Sequence, residues 1–104
     1  MNMDKKEMTM KLIELINKHL KNYKLIKSDK IKFEMSEEYL KFNFSKTSPF
    51  GKIISMAIFG VSWEGVDAIL YSVRNDKGND FPAIDELHRA TDKALLELKE
   101  IIYG

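Results

Sequence analysis

A stretch of eleven residues without any charge, IISMAIFGVSW, constrains the fold of this chain more than any other part of the sequence. It runs from Ile53 to Trp63 in a chain of which 32% of the residues are charged. A membrane helix needs roughly 20 apolar residues, so this stretch is too short to be one. Its β-branched and aromatic residues and its glycine favour a β-strand. Because neither alternating set of side chains is polar, we expect this strand to be covered on both faces.

The two ends of the sequence have a helical period. Residues 4–22 predict an amphipathic helix that begins at Asp4, with Glu7 three residues later as in a capping box. A second helix is predicted after Asp80, the expected N-cap, with Pro82 in the first turn, where a missing N–H has no consequence. The apolar arc of the first helix comprises Met8, Leu12, Leu15, Ile16, Leu20 and Tyr23, and that of the second comprises Ile84, Leu87, Ala90, Thr91, Ala94, Leu95, Leu98, Ile101 and Ile102.

Between the helices, the period of the apolar residues changes from 3.6 to 2. Residues 31–35 and 39–45 alternate apolar and polar side chains, as half-buried strands do, and a hairpin-length connection joins them. A loop over 46–52 then leads to the charge-free stretch, of which residues 53–59 are expected to form a central or near-central strand. A turn and a fourth strand over 66–74 follow.

The order of elements is therefore α-β-β-β-β-α. Consecutive strands on short connections pair antiparallel. Two helices that are apolar on one side pack most simply on the same face of such a sheet, which predicts a single α+β domain over residues 1–104, a two-layer sandwich with a four-stranded antiparallel sheet. Leu15 and Leu98 should then lie in its core.

The third and fourth strands carry apolar residues on the face that the helices leave free. Either this chain covers that face, by curling the sheet around the first helix or by folding the 46–52 loop over it, or a partner does, most simply a second copy. The predicted interface residues are Ile54, Met56, Ile58 and Leu70; if the faces are exchanged, the corresponding set is Ile53, Phe59, Ile69 and Tyr71.

The charges are unevenly distributed. Residues 1–52 contain twelve lysines against seven acidic residues, and residues 53–104 contain five basic against nine acidic residues. Lysines recur every two or three residues between Lys18 and Lys32, a pattern that phosphate backbones attract, and a tyrosine among them could stack on a base. Arginine, the usual base reader, occurs only at Arg74 and Arg89. The candidate nucleic-acid-binding residues are Lys18, Lys21, Tyr23, Lys24, Lys27, Lys30 and Lys32.

The sequence contains no motif typical of catalysis or of cofactor binding. Without cysteine there is no disulfide, thiolate metal site or cysteine nucleophile. Asp85, His88 and Asp92 lie on adjacent turns of the second helix, a spacing that suits a metal or a His–Asp general base and equally suits an ordinary surface. His19 lies within the apolar arc of the first helix. We predict no catalytic residue, no bound metal and no cofactor.

These features predict a small cytoplasmic protein that binds another protein, or itself as a homodimer, through an apolar sheet face and has no enzymatic chemistry. Because the first residues are charged, we expect neither a signal peptide nor contact with a membrane. The composition, rich in Lys, Ile and Asn, favours a bacterial or phage accessory protein. The alternative is weak, sequence-independent nucleic-acid binding through the run from Lys18 to Lys32.

Overall fold

The computed structural model describes residues 3–27, 38–47, 53–74 and 81–104, with backbone alone at 27, 38–41, 53–56, 69–74 and 81–82. Its elements follow the predicted order and form an α+β fold. They are α1 (Lys5–His19), β1 (Tyr23–Lys27), β2 (Glu38–Lys46), β3 (Ile53–Ser62), β4 (Asp67–Arg74) and α2 (Phe81–Tyr103).

The four strands form one antiparallel sheet in the order β1-β2-β3-β4. Each strand pairs with the next one along the chain, as short connections require. The charge-free stretch supplies β3, which lies between β2 and β4, so the prediction of a near-central strand over 53–59 is confirmed.

Helix α1 begins as predicted and ends earlier than predicted. The backbone N–H of Glu7 donates to Oδ1 of the N-cap Asp4 at 2.8 Å. The helix ends at His19, and Leu20 is already extended. Tyr23 therefore lies in β1 and not on the helical arc, which corrects the predicted helix over 4–22. The reason is tertiary: pairing of β1 with β2 takes over where the apolar period alone would continue the helix.

The first described strand lies in a segment for which the sequence predicted no strand. Strand β1 occupies Tyr23–Lys27, whereas the sequence suggested a strand over 31–35, which lies outside the described residues. The second predicted strand, 39–45, corresponds to β2. Helix α2 contains Pro82 in its first turn as predicted, and its expected cap Asp80 is outside the described residues.

Both helices pack on one face of the sheet through a single hydrophobic cluster. Leu15 and Leu98 are 5% and 0% exposed, so their predicted burial is confirmed. The strands contribute alternate residues to the cluster, which puts all of them on the same face. The buried strand residues of this cluster are Leu25, Phe42, Phe44, Ala57, Phe59 and Val61, and its α2 residues are Ala83, Leu87, Ala90, Ala94, Leu95 and Leu98.

The turn between β3 and β4 contains a residue in an unusual backbone conformation. Val66 has a φ of 49°, in the left-handed region that glycine adopts most easily. The preceding residue, Gly65, does not take this conformation. Val66 is also 1% exposed, so its side chain anchors the turn in the core.

Neither α1 nor α2 holds a run of apolar residues long enough to cross a membrane, as judged over the part of the chain that the structure describes.

Candidate functional site

The side of the sheet opposite the helices, here called the second face, is defined by the strand register. Its positions alternate with those of the buried core residues, and Lys24 and Ile26 of β1 pair with Ser45 and Asn43 of β2. On β3 the alternation continues beyond Ala57. The described side chains of the second face are those of Lys24, Ile26, Asn43, Ser45, Ile58, Ser62 and Asp67.

Two isoleucines give the second face its apolar character. Ile26 is 40% exposed on the edge strand β1, and Ile58 is half-buried on β3. They are separated by β2, whose Asn43 is half-buried. Among the described elements, both helices belong to the opposite face, so the apolar surface at Ile26 and Ile58 is not covered by them.

The structure brings part of the predicted patch together. Ile58 lies on the second face, and the register aligns the backbone of Met56 with Asn43 on the same face. Ile54 falls at a register shift, where Ser45 pairs with Ile53. The side chains of Ile54 and Met56 are outside the described part, so their contribution to the patch stays a prediction.

A second register shift affects the predicted position of Leu70. The register aligns Leu70 with the core residue Phe59, while Ile58 is aligned with Ser72. Tyr71 is therefore the extra residue of a β-bulge. A prediction that assumes strict alternation along β4 misses this bulge. It therefore cannot show which β4 residues share a face with Ile58.

Ile26 is the part of this surface that the sequence did not reveal. The sequence pattern assigned no element to residues 24–30, and Tyr23 fitted the arc of the first helix. Leu25 and Ile26 are adjacent and both apolar, so the segment has no clear alternation of its own. The strand is recognisable only from its pairing with β2.

The second face also contains a buried hydroxyl group. Ser45 is 0% exposed, and its Oγ has no hydrogen-bond partner among the residues that the structure describes. An unsatisfied buried hydroxyl costs about 1–3 kcal/mol relative to a satisfied one. Water therefore does not reach the sheet at Ser45, although the paired Lys24 is exposed.

The basic run does not form one continuous surface in the described residues. Lys18 Nζ lies 3.2 Å from Oε2 of Glu97, and the ring of Tyr23 packs 5.0 Å from that of Phe44. Lys21 and Lys24 are exposed. Lys27 is the last residue of β1, and Lys30 and Lys32 lie outside the described residues. Tyr23 is half-buried against Phe44, which limits its access to a nucleic-acid base.

The two histidines are in different surroundings. Nε2 of His19 lies 2.6 Å from Oε1 of Glu97, and this hydrogen bond, together with the one from Lys18, lowers the pKa of Glu97. His88 is exposed on α2. The cluster of Lys18, His19 and Glu97 therefore joins α1 to α2. No group of three acidic, histidine or cysteine side chains in the described ranges is placed to hold a metal ion.

Comparison of the chain with protein-family models, with curated proteins and with solved structures gave no significant match. Function is therefore inferred from the surface of the molecule itself.

Proposed function

We propose that the protein is a small cytoplasmic interaction protein without enzymatic chemistry, and that it self-associates through the second face of its sheet. The observation that supports this proposal is the exposure of Ile26 on β1 and the partial exposure of Ile58 on β3, both on the face opposite the two helices. Burying an isoleucine side chain fully is worth about 1.5–3 kcal/mol. Apolar surface of this kind commonly marks an interface.

A second copy is the partner that the charges favour. Lys24 is exposed at one end of β1, and Glu64 and Asp67 are exposed at the turn that joins β3 to β4. These charges lie on or next to the two edge strands, at diagonally opposite corners of the sheet. Two copies that meet face to face about a twofold axis along the other diagonal bring the basic corner of each copy to the acidic corner of the other.

Part of the charge asymmetry is already neutralised within the chain. Glu97, in the acidic half, contacts Lys18 and His19 of the basic half. Opposite charges of the two halves therefore meet between the helices, and the charges at the corners of the sheet remain available to a second copy. Because exposed charge pairs contribute little, the apolar surface supplies most of the proposed affinity.

The experiment introduces a charge at the centre of the proposed interface. Ile58→Lys should give a folded monomer, because the ammonium group would be buried against the partner, while the wild type runs as a dimer. The control is Leu96→Lys, since Leu96 is 65% exposed on α2, away from the sheet. Mass is measured by light scattering during gel filtration at low and high salt, and folding by circular dichroism.

A wild type that stays monomeric at high concentration would overturn self-association. Dissociation by Leu96→Lys to the same extent would place the interface on the helices instead of the second face. A stable complex between the monomeric wild type and a different protein, abolished by Ile58→Lys, would retain the interaction face but replace the partner.

A further inference from the structure

Strand β1 forms one edge of the sheet, so half of its backbone groups point away from β2. The carbonyl of Asn22, next to β1, accepts from the N–H of Thr47, next to β2. Backbone groups alternate in direction along an antiparallel strand, so those of Leu25, three residues after Asn22, point to the outer edge.

The side chain of Asn17 occupies these outward groups of Leu25. The backbone N–H of Leu25 donates to Oδ1 of Asn17 at 2.7 Å, and Nδ2 of Asn17 donates to the carbonyl of Leu25 at 3.1 Å. An additional antiparallel strand would form the same two bonds through the carbonyl and N–H of one of its residues. The side-chain amide therefore takes the place of a neighbouring strand.

Packing holds Asn17 in this position. It lies in the last turn of α1, directly after Ile16, which is fully buried in the core. Leu25 is itself buried, so both partners of the bidentate contact are fixed. The contact therefore joins two packed elements, α1 and β1.

We propose that Asn17 closes the outer edge of β1 against pairing with the β1 strand of a second copy. Exposed edge strands are sites of uncontrolled edge-to-edge association. With the outward groups of Leu25 occupied, a further strand cannot pair with β1 at its central residue. The inference is independent of the proposed self-association, which uses the second face.

The first test uses amide hydrogen exchange of the wild type, followed by NMR. The amide of Leu25 should be protected although it is on the outer edge, and Asn17→Ala should make it exchange about fivefold to tenfold faster, the effect of losing about one net hydrogen bond. The amide of Lys21, exposed before β1, serves as the unprotected reference.

The second test measures association by light scattering in the Ile58→Lys background, which separates edge pairing from face-to-face pairing. Adding Asn17→Ala should produce oligomers whose mass rises with concentration. The matched control is Thr91→Ala, which removes a buried 2.8 Å bond from Thr91 Oγ1 to the carbonyl of Leu87 and opens no sheet edge. This variant should remain at the mass of its background.

Rapid exchange of Leu25 in the wild type would overturn the proposal, even if the Asn17→Ala variant failed to fold. An Asn17→Ala variant with unchanged exchange and unchanged mass would also overturn it. If Thr91→Ala associated to the same extent, lost stability and not an opened edge would be the cause.

Discussion

At the scale of single residues, Val66 makes two opposing contributions to the stability of the fold, one from its backbone and one from its side chain. A left-handed backbone costs a residue with a Cβ about 1–2 kcal/mol. Burial of a valine side chain stabilises the fold by about 1.5–3 kcal/mol. The two are of similar size, so the fold tolerates a β-branched residue where the neighbouring Gly65 would seem the natural choice. The turn is thereby anchored from within by a strained residue.

This balance reverses the usual order of substitutions at Val66. Val66→Ala loses buried area and keeps the strain, whereas Val66→Gly loses one more methyl group and relieves the strain. We expect the glycine variant to be at least as stable as the alanine variant in urea unfolding. Val61 provides the comparison, since it is buried in β3 without a positive φ. At this position the alanine variant should have a free energy of unfolding about 0.5–1 kcal/mol higher than the glycine variant. The same order at both positions would contradict the strained backbone.

At the scale of elements, α2 contains two leucines, two residues apart, one of which is buried and the other exposed. Leu98 is buried in the core, while Leu96 is exposed on the other side of the same helix. Leu98→Ala should lower the free energy of unfolding by about 2–5 kcal/mol, as should Leu15→Ala on α1. Leu96→Ala should change it by less than about 0.5 kcal/mol. Equal midpoints for the Leu96 and Leu98 variants in denaturant would mean that the packed face of α2 is misassigned.

The polar contact between the helices should make stability depend on pH. The hydrogen bonds from His19 and then from Lys18 hold the pKa of Glu97 below its ordinary value of 4.5. A carboxyl group with a lowered folded-state pKa stabilises the fold above its ordinary pKa, and this contribution disappears as pH falls through the lower value. The wild type should therefore lose stability as pH falls below the ordinary value of 4.5, and Glu97→Gln should lose less.

Thermal unfolding at a series of pH values measures this difference. The control is Glu100→Gln, which removes an exposed carboxylate of the same helix and should leave the acid dependence in place. If Glu97→Gln and the wild type lost stability in parallel on acidification, the contact with His19 and Lys18 would not contribute to folding.

The helices and strands also show which features of the fold can be predicted from the sequence. Both helices were predictable because their 3.6-residue period and the Asp4 cap are local signals. The end of α1 was not, because Tyr23 fits the helical arc equally well and only pairing with β2 decides between helix and strand. The same limit applies to the second face. The position of Ile58 was predictable from the alternation along β3. The position of Ile26 is evident only from the pairing of β1 with β2, and that of Leu70 only from the β-bulge in β4.

At the scale of the whole molecule, the basic run meets acidic residues of the same chain. Glu97 contacts Lys18, and the carboxylate of Glu86 accepts from the backbone and side chain of Asn22. The positive potential available to an external phosphate backbone is reduced accordingly. Lys18, Lys21 and Lys24 are the run's described lysines with exposed side chains, and Lys18 is the one that contacts Glu97.

We therefore expect at most weak, sequence-independent binding to nucleic acid. Fluorescence anisotropy should detect an affinity that falls steeply between about 50 and 200 mM salt, and reversal of Lys21, Lys24 and Lys27 to Glu should abolish it without unfolding the protein. A variant with Lys6, Lys93 and Lys99 reversed to Glu has the same net charge and should retain more of the binding. Tight, sequence-selective binding that survives high salt would instead make nucleic-acid recognition the better functional hypothesis.

The strand order has a consequence for the rate at which the chain folds. Every strand pairs with its neighbour along the chain, so the sheet is built from hairpins, which form on a timescale of about 1–10 μs. The two helices, in contrast, meet across 79 residues between Lys18 and Glu97, and the entropy of closing such a long loop must be lost before their contacts form. Stopped-flow refolding should then be slowed by Leu98→Ala, with a smaller effect on unfolding. We therefore expect the docking of α1 on α2 to limit the rate of folding.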